Sequence, residues 1–336
     1  MAKSLNLNKV YEDFKNKIIS KLSFLGIIQS IIEEHENESV RLQAIELLND
    51  LKFRDKSLFT FFEHLLISDI NEKIRNAAML YISNNFLEKS LSLFKWVINH
   101  ENSYKCQVTL IQSFQKLNHP ELREILINIL KKITKVRFLS QEKQYENRKH
   151  RKVLKLLLKS EKLSNIDHTL LSDIILNFFT IRHLIKLFPN VFFELNHENA
   201  LIEQLDLSDY LEYEVKGTPW GWKNNIDRLS KIEGLWNLKA LKVLDLSNNL
   251  LNDIKEIVAL KNLTHLNLTN NRIDDLKTCT YFNELHNLKY LNLEGNPLSH
   301  KINLNDFNKD LELILSNKDE ELELILSNKF NKKIIN

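Results

Sequence analysis

Three His-Glu-Asn runs, at His35, His100 and His197, are the groupings that come nearest to a metal or acid–base site. A helical zinc site needs a second histidine four residues on, so that both imidazoles leave the same face of the helix. None of the three runs has one. The phosphate-cradling and nucleophile motifs GxxxxGK[ST], GxGxxG and GxSxG are missing, as are CxxC and HExxH, and five glycines leave little material for such loops. The carboxylates are numerous but scattered, so no pair can be set across a pocket from spacing alone. The sequence therefore assigns no catalytic residue, no metal ligand and no cofactor, and it reads as a non-enzymatic protein.

Charge carries more information. The net charge is only +3, yet residues 131 to 162 hold twelve Lys or Arg against Glu142, Glu146 and Glu161, so the rest of the chain is net acidic. Arg148, Lys152, Lys155 and Lys159 follow one another at helical spacing and line one face, with Leu154, Leu157 and Leu158 directed elsewhere. Three readings stay open for this basic face: a solvated outer surface, a dock for an acidic protein, or a nucleic-acid contact. Few aromatics interleave with the cations, which weighs against stacked single strands.

The elements that must carry these residues follow from the bulk pattern. Only four prolines occur, at positions where helices or repeats end, which permits long helical stretches. No apolar run approaches the ~20 residues of a membrane span, and the first residues lack the apolar core of a signal peptide. Cys106 and Cys279 lie far apart and suit a reducing compartment better than a disulfide framework. A cytoplasmic protein that does not engage membrane is the expectation. The N-x-S/T triplets, such as Asn37 with Ser39, are what an Asn-rich chain produces by chance.

Self-similarity organises the first two thirds. Residues 35–51 align with 69–86 at an offset of 34, setting Asn37 on Asn71, Val40 on Ile74, Arg41 on Arg75, Ala44 on Ala78 and Leu48 on Ile82. A weaker third copy at 100–117 puts Lys105 and Val108 near the Arg and Ala positions. Each copy has a polar cap, an apolar stripe of helical period and a small residue where a neighbouring helix approaches. A second amphipathic segment precedes each, so the unit is a helical hairpin. These hairpins resemble HEAT repeats, in which an Asp or Asn turn is followed by Val-Arg and then Ala. The resemblance implies an all-α superhelical solenoid, four or five hairpins from about 31 to 200, behind a leading cap at 5–34. HEAT-like folds now and then carry lyase activity, so an enzyme is the outlying alternative.

The motif LxxLxLxxNxL then occurs three times: Leu241, Leu244, Leu246, Asn249 and Leu251; Leu263, Leu266, Leu268, Asn271 and Ile273; Leu288, Leu291, Leu293, Asn296 and Leu298. Its xxLxL segment reads as a short parallel strand with leucines turned inward, and its Asn as the residue that satisfies backbone groups of the following loop. Between motifs, Leu251, Ile254, Ile257, Leu260 and Leu263 fall every third residue, which suits 3₁₀ turns. The block resembles the short leucine-rich repeats of phosphatase-regulating and other adaptor proteins. Run backwards, the register places Leu229, Ile232, Leu235 and Leu238 in an incomplete leading repeat, and Trp222 at the Leu244 position in a capping hairpin over 218–229. LELILSNK, at 311–318 and again at 322–329, has a spacing of eleven and predicts a terminal helix, either a cap or a binding element.

The chain thus reads as multidomain: an all-α HEAT-like solenoid over 1–200, an α/β leucine-rich solenoid with parallel strands over 201–304, and a cap helix over 305–336. Alternation along the strands places three rows on the concave face: Val243, His265 and Tyr290; Asp245, Asn267 and Asn292; Ser247, Thr269 and Glu294. Tyr290, beside His265, is the expected energetic centre of a partner site. Strands about 4.8 Å apart give a face of only a few hundred Å², well short of the roughly 800 Å² per partner of a stable interface. A protein partner held along joined repeat surfaces is the functional expectation. A regulatory subunit of an enzyme such as a phosphatase, and a nucleic-acid-associated protein, are the alternatives.

Overall fold

A computed structural model describes residues 6–135, 144–188, 191–209, 226–302, 307 and 311–315. The chain divides into two compact units, Met1–Ile129 with Asp167–Ser172, and Leu130–Ile166 with Asp173–Asn336.

The first unit is helical: α1 (Leu7–Lys15), α2 (Lys21–Glu34), α3 (Glu38–Asp50), α4 (Lys56–Ser68), α5 (Glu72–Asn85), α6 (Leu91–His100), α7 (Tyr104–Lys116) and the start of α8 (Leu122–Ile133). Helices α2 with α3, α4 with α5 and α6 with α7 are hairpins, and α3, α5 and α7 pack side by side. The aligned residues do aligned work. Asn37 and Asn71 cap α3 and α5, each side-chain oxygen accepting from a backbone N–H two residues on, at 2.8 and 2.9 Å. Ala44 and Ala78 are fully buried where α3 and α5 meet, since a larger side chain would hold the helices apart. Arg41 pairs with Asp69, and Arg75 with Glu101 through two bonds of 2.7 and 3.1 Å, so each arginine ties its own helix to the turn of the next hairpin.

The third hairpin shifts the expected register. With Ser103 as the residue before α7, Cys106 takes the Ile74 position, Gln107 the Arg75 position and Leu110 the Ala78 position, rather than Lys105 and Val108 serving as the Arg and Ala equivalents. Gln107 Nε2 donates to the Glu101 carbonyl at 2.9 Å, as Arg75 Nη1 does to the Asp69 carbonyl. The role survives with a different side chain, which is why identity matching missed it. Cys106 is sealed in this packing, and burial pushes its thiol up to about 12, so it is an inert core residue.

In the second unit α9 (Gln144–Lys159) and α10 (His168–Leu187, from Asp173 onward) accompany a sheet of six described strands in the order β1 (Phe192–Leu195), β2 (Ile202–Asp206), β3 (Val243–Asp245), β4 (His265–Asn267), β5 (Tyr290–Asn292) and β6 (Glu312–Ile314). All neighbours are parallel except β1 and β2. Strands β3, β4 and β5 centre on Leu244, Leu266 and Leu291, as the motif requires, and 3₁₀ turns at Leu229–Lys231, Leu235–Asn237 and Lys255–Ala259 bury the every-third-residue apolar positions.

Three expectations need correction. Residues 192–195 are a strand inside the stretch read as helical; Phe193 and Leu195 are buried and Phe192 and Glu194 half-exposed, a period of two. The neighbour of Leu244 is Leu205 of β2, not Trp222, which lies outside the described residues together with most of the expected hairpin. Leu205-Asp206-Leu207-Ser208 repeats Leu244-Asp245-Leu246-Ser247, and the long insertion after residue 209 hid the match. Finally, 311–315 do not continue a helix: the first copy of the duplication supplies β6, with Leu291 opposite Leu313. The second copy lies outside the described residues.

The compact units also divide the chain elsewhere than at residue 200. Asn177 of α10 is fully buried; its amide donates to the Asn237 carbonyl at 3.0 Å and its oxygen accepts from the Ile202 N–H at 2.8 Å, which fastens α10 to β2 and to the leading turn. Lys239 with Asp173 (2.8 Å) and His183 with Glu233 (3.1 Å) add outer ties.

Three motif asparagines form a buried ladder. Asn271 Nδ2 donates to the carbonyls of Leu246, Leu268 and Thr269 at 2.9, 2.9 and 3.3 Å, while its oxygen accepts from the Leu251 N–H at 3.0 Å. Asn249 and Asn296 repeat the pattern one rung either side. Each buried backbone group left without a partner costs about 1–3 kcal/mol. Asn271→Ala is therefore expected to destabilise the second unit by about 3 kcal/mol or more in urea unfolding, whereas Asn252→Ala, at an exposed position in the loop of the preceding repeat, leaves the midpoint unchanged.

Candidate protein-binding surfaces

Two of the expected rows lie in strand register on the sheet, and Asp245, Asn267 and Asn292 make the second of them. Val243, His265 and Tyr290 are in register, with Gln204 and Glu312 extending their row, and the rings of His265 and Tyr290 stack at 5.8 Å. Exposure does not follow. Tyr290 retains 4% of its surface, and Val243, Asp245, Ser247 and Asn292 are also buried. His265, Asn267, Thr269 and Glu294 remain partly open. Burial pushes the Tyr290 hydroxyl up to about 12. The expectation that Tyr290 offers an open ring to a partner is thus corrected: it fills space on the face.

The middle row is occupied by the chain itself. In each of β2, β3, β4 and β5 an Asp or Asn oxygen accepts from the N–H two residues on: Asp206 from Ser208 at 2.9 Å, Asp245 from Ser247 at 2.8 Å, Asn267 from Thr269 at 3.1 Å and Asn292 from Glu294 at 2.9 Å. These turns end the strands, which explains the residue type without a ligand. Asp245 also accepts from the Ser247 hydroxyl at 2.6 Å and from Asn267 Nδ2 at 3.1 Å. Its carboxyl is nevertheless pushed above the usual range, first by burial and then by the charge of Asp206 on the next strand.

Helix α9 holds the expected basic face. Lys152, Lys155 and Lys159 are exposed, and together with Arg151 and Leu156 they line a groove of about 310 Å³. Arg148 falls within the helix. The opposite side of α9 is seated by Val153, Leu154 and Leu157, and by His150, whose ring meets Phe178 of α10 and Phe193 of β1 at 5.2 and 5.7 Å. Both ring nitrogens of His150 are buried without a hydrogen-bond partner, and burial lowers its pKa to about 3.

A further surface, which sequence reasoning missed, lies in the first unit. Ile67 of α4, Trp96 and His100 of α6, and Glu72 and Arg75 of α5 surround a groove of about 420 Å³. Trp96 is 44% exposed and stacks on His100 at 4.1 Å. Arg75 and Glu101 neutralise one another at the groove floor; burial raises the Glu101 carboxyl, but the Arg75 bonds and the Ser103 and Asn102 N–H groups outweigh it and hold it below the usual range. Trp96 was legible only as one more apolar residue of an amphipathic segment. Its exposure depends on where the neighbouring hairpin ends.

Among the described residues no group of three or more His, Cys, Asp or Glu could hold a metal ion, and no helix is long and apolar enough to cross a membrane.

Two measurements check these assignments. Tyr290→Ala should lower stability by about 3 kcal/mol, because it empties a buried ring's volume; an unchanged urea midpoint would return the ring to the open face. His150→Leu should raise stability by about 1–2 kcal/mol by removing two unsatisfied nitrogens. It should also flatten the acid limb: with a folded pKa near 3 against roughly 6.5 unfolded, the unfolded chain binds the extra proton between those values, so wild-type stability falls as pH drops through that window and the variant's does not.

The profile of the family described as Leucine Rich repeats (2 copies) matches residues 239–278, which span the first two LxxLxLxxNxL motifs. No curated protein and no solved structure matches the chain. Within 239–278, then, this chain is similar to the leucine-rich repeats, modules that generally mediate protein–protein interaction.

Proposed function

We propose that the protein is a non-enzymatic scaffold that binds a protein partner through its repeat surfaces, with the helical hairpins acting as a HEAT-like array that precedes the leucine-rich block in the chain. The observation that carries this reading is the groove of the first unit, where Trp96 and Ile67 stay about half exposed against a polar rim. Tryptophan presents a large rigid surface at small entropic cost, and exposed Trp within a concavity is the residue type that most often dominates protein interfaces. Arg75 and Glu101 lend the groove a pre-organised floor, since each already satisfies the other. The leucine-rich match supports the same class of function from an independent part of the chain. On the sheet, the partly open His265, Asn267, Thr269 and Glu294 form a secondary polar contact, too small to hold a partner by themselves.

The test uses the full chain and a pair of variants. Affinity capture from the native cell with wild type, Trp96→Ala and Ile67→Ser, each verified as folded by thermal melting, should show a protein retained by wild type in stoichiometric amount and lost from both variants. In purified form the Trp96→Ala loss should be about 2 kcal/mol or more, roughly thirtyfold in Kd. A partner retained equally by all three proteins would show that the groove is not the interface.

A further inference from the structure

A second and separate surface lies on α9. We propose that the exposed face of α9 docks a short acidic segment of a partner protein, with carboxylates on its rim and one apolar side chain on Leu156. Elsewhere in the described structure lysines commonly sit beside a carboxylate, as Lys73 does with Glu38, Lys239 with Asp173, Lys242 with Glu203 and Lys162 with Glu198. On α9 no described carboxylate pairs with Lys152, Lys155 or Lys159. Like charges three and four residues apart repel along a helix, so an opposite charge set against this face stabilises α9.

The floor of the groove decides what kind of anion fits. Leu156 is 58% exposed among the four cationic side chains, and the lysine stems add apolar surface to it. A polyanion needing charge alone has no use for that leucine, and the described lining offers no aromatic ring on which a base could stack. A protein segment that interleaves Asp or Glu with an apolar residue uses both features. The seat is fixed: Val153, Leu154 and Leu157 are buried beneath, so the cations are presented on a supported helix and the order required for docking is largely in place. From Lys152 to Lys159 the helix advances about 10 Å, which an extended peptide covers with roughly three or four residues. The occupant is therefore a short motif bound with modest affinity.

The experiment is fluorescence anisotropy of the full chain with four labelled probes: a Glu-rich peptide carrying a central leucine, the same peptide with that leucine replaced by serine, its Gln-for-Glu counterpart, and a single-stranded RNA of matched charge. The leucine-bearing acidic peptide should bind tightest, with affinity falling as salt rises. Lys152→Glu/Lys155→Glu/Lys159→Glu should weaken it about tenfold or more, and Leu156→Ser, which removes no charge and sits on the surface, about threefold to tenfold. Melting curves of both variants establish that α9 remains folded. Trp96→Ala should leave this binding unchanged, so the two surfaces stand or fall separately. Failure of the leucine-bearing acidic peptide to bind at low salt would overturn the proposal, as would equal binding of the serine peptide or tighter binding of the RNA.

Discussion

Where a short parallel strand turns away at its end, the last carbonyls of each strand point at a corner that water does not reach. The asparagine ladder resolves that corner. Asn249, Asn271 and Asn296 each donate to carbonyls of their own turn and of the preceding one, and each accepts an N–H from the preceding loop. One side chain thereby closes several buried backbone groups at once, and it fixes the register of adjacent repeats in the same act. Everything on the sheet, from the burial of Leu244, Leu266 and Leu291 to the alignment of His265 with Tyr290, rests on that register.

The helical unit meets the same problem with different chemistry. Its recurring corner is the turn before α3, α5 and α7, where a cap residue and a long polar side chain tie each helix to a neighbouring turn. Asn with Arg does this twice, and before α7 Gln107 makes the tie without a side-chain cap bond from Ser103. Because Arg75 is satisfied by Glu101 and by the carbonyls of Asp69 and Ile70, its charge belongs to the scaffold rather than to a ligand. The same holds on the sheet, where the Asp and Asn row ends strands. Among the described residues, Trp96 and Ile67 in one unit and the α9 lysines with Leu156 in the other stay exposed.

Within the second unit buried polarity is treated in two ways. Asn177 on α10 is fully satisfied and fastens the helix to the sheet, while His150 on α9 is buried with neither nitrogen paired. Burial leaves His150 neutral and Asp245 reluctant to ionise, so acid and base press on the second unit from opposite directions.

The sequence by itself determined the helical hairpins, the leucine-rich motifs, the strand centres at Leu244, Leu266 and Leu291, the turns between them and the roles of Asn37, Asn71, Asn249, Asn271 and Asn296, because each is set by residue type at a fixed local spacing. It also located the α9 cations, since helical period alone puts Lys152, Lys155 and Lys159 on one side. Only the tertiary structure decided that Leu205 begins the parallel strands, that Gln107 stands in for an arginine, and that the first LELIL copy pairs with β5. Strand partners are chosen across long gaps in the chain, and a leucine-rich segment of five residues has no local feature that separates a strand from a helical turn. Tertiary packing likewise decided exposure, burying Tyr290 and opening Trp96. Both are aromatic residues on amphipathic segments, and whether such a ring meets water depends on which neighbouring element covers it.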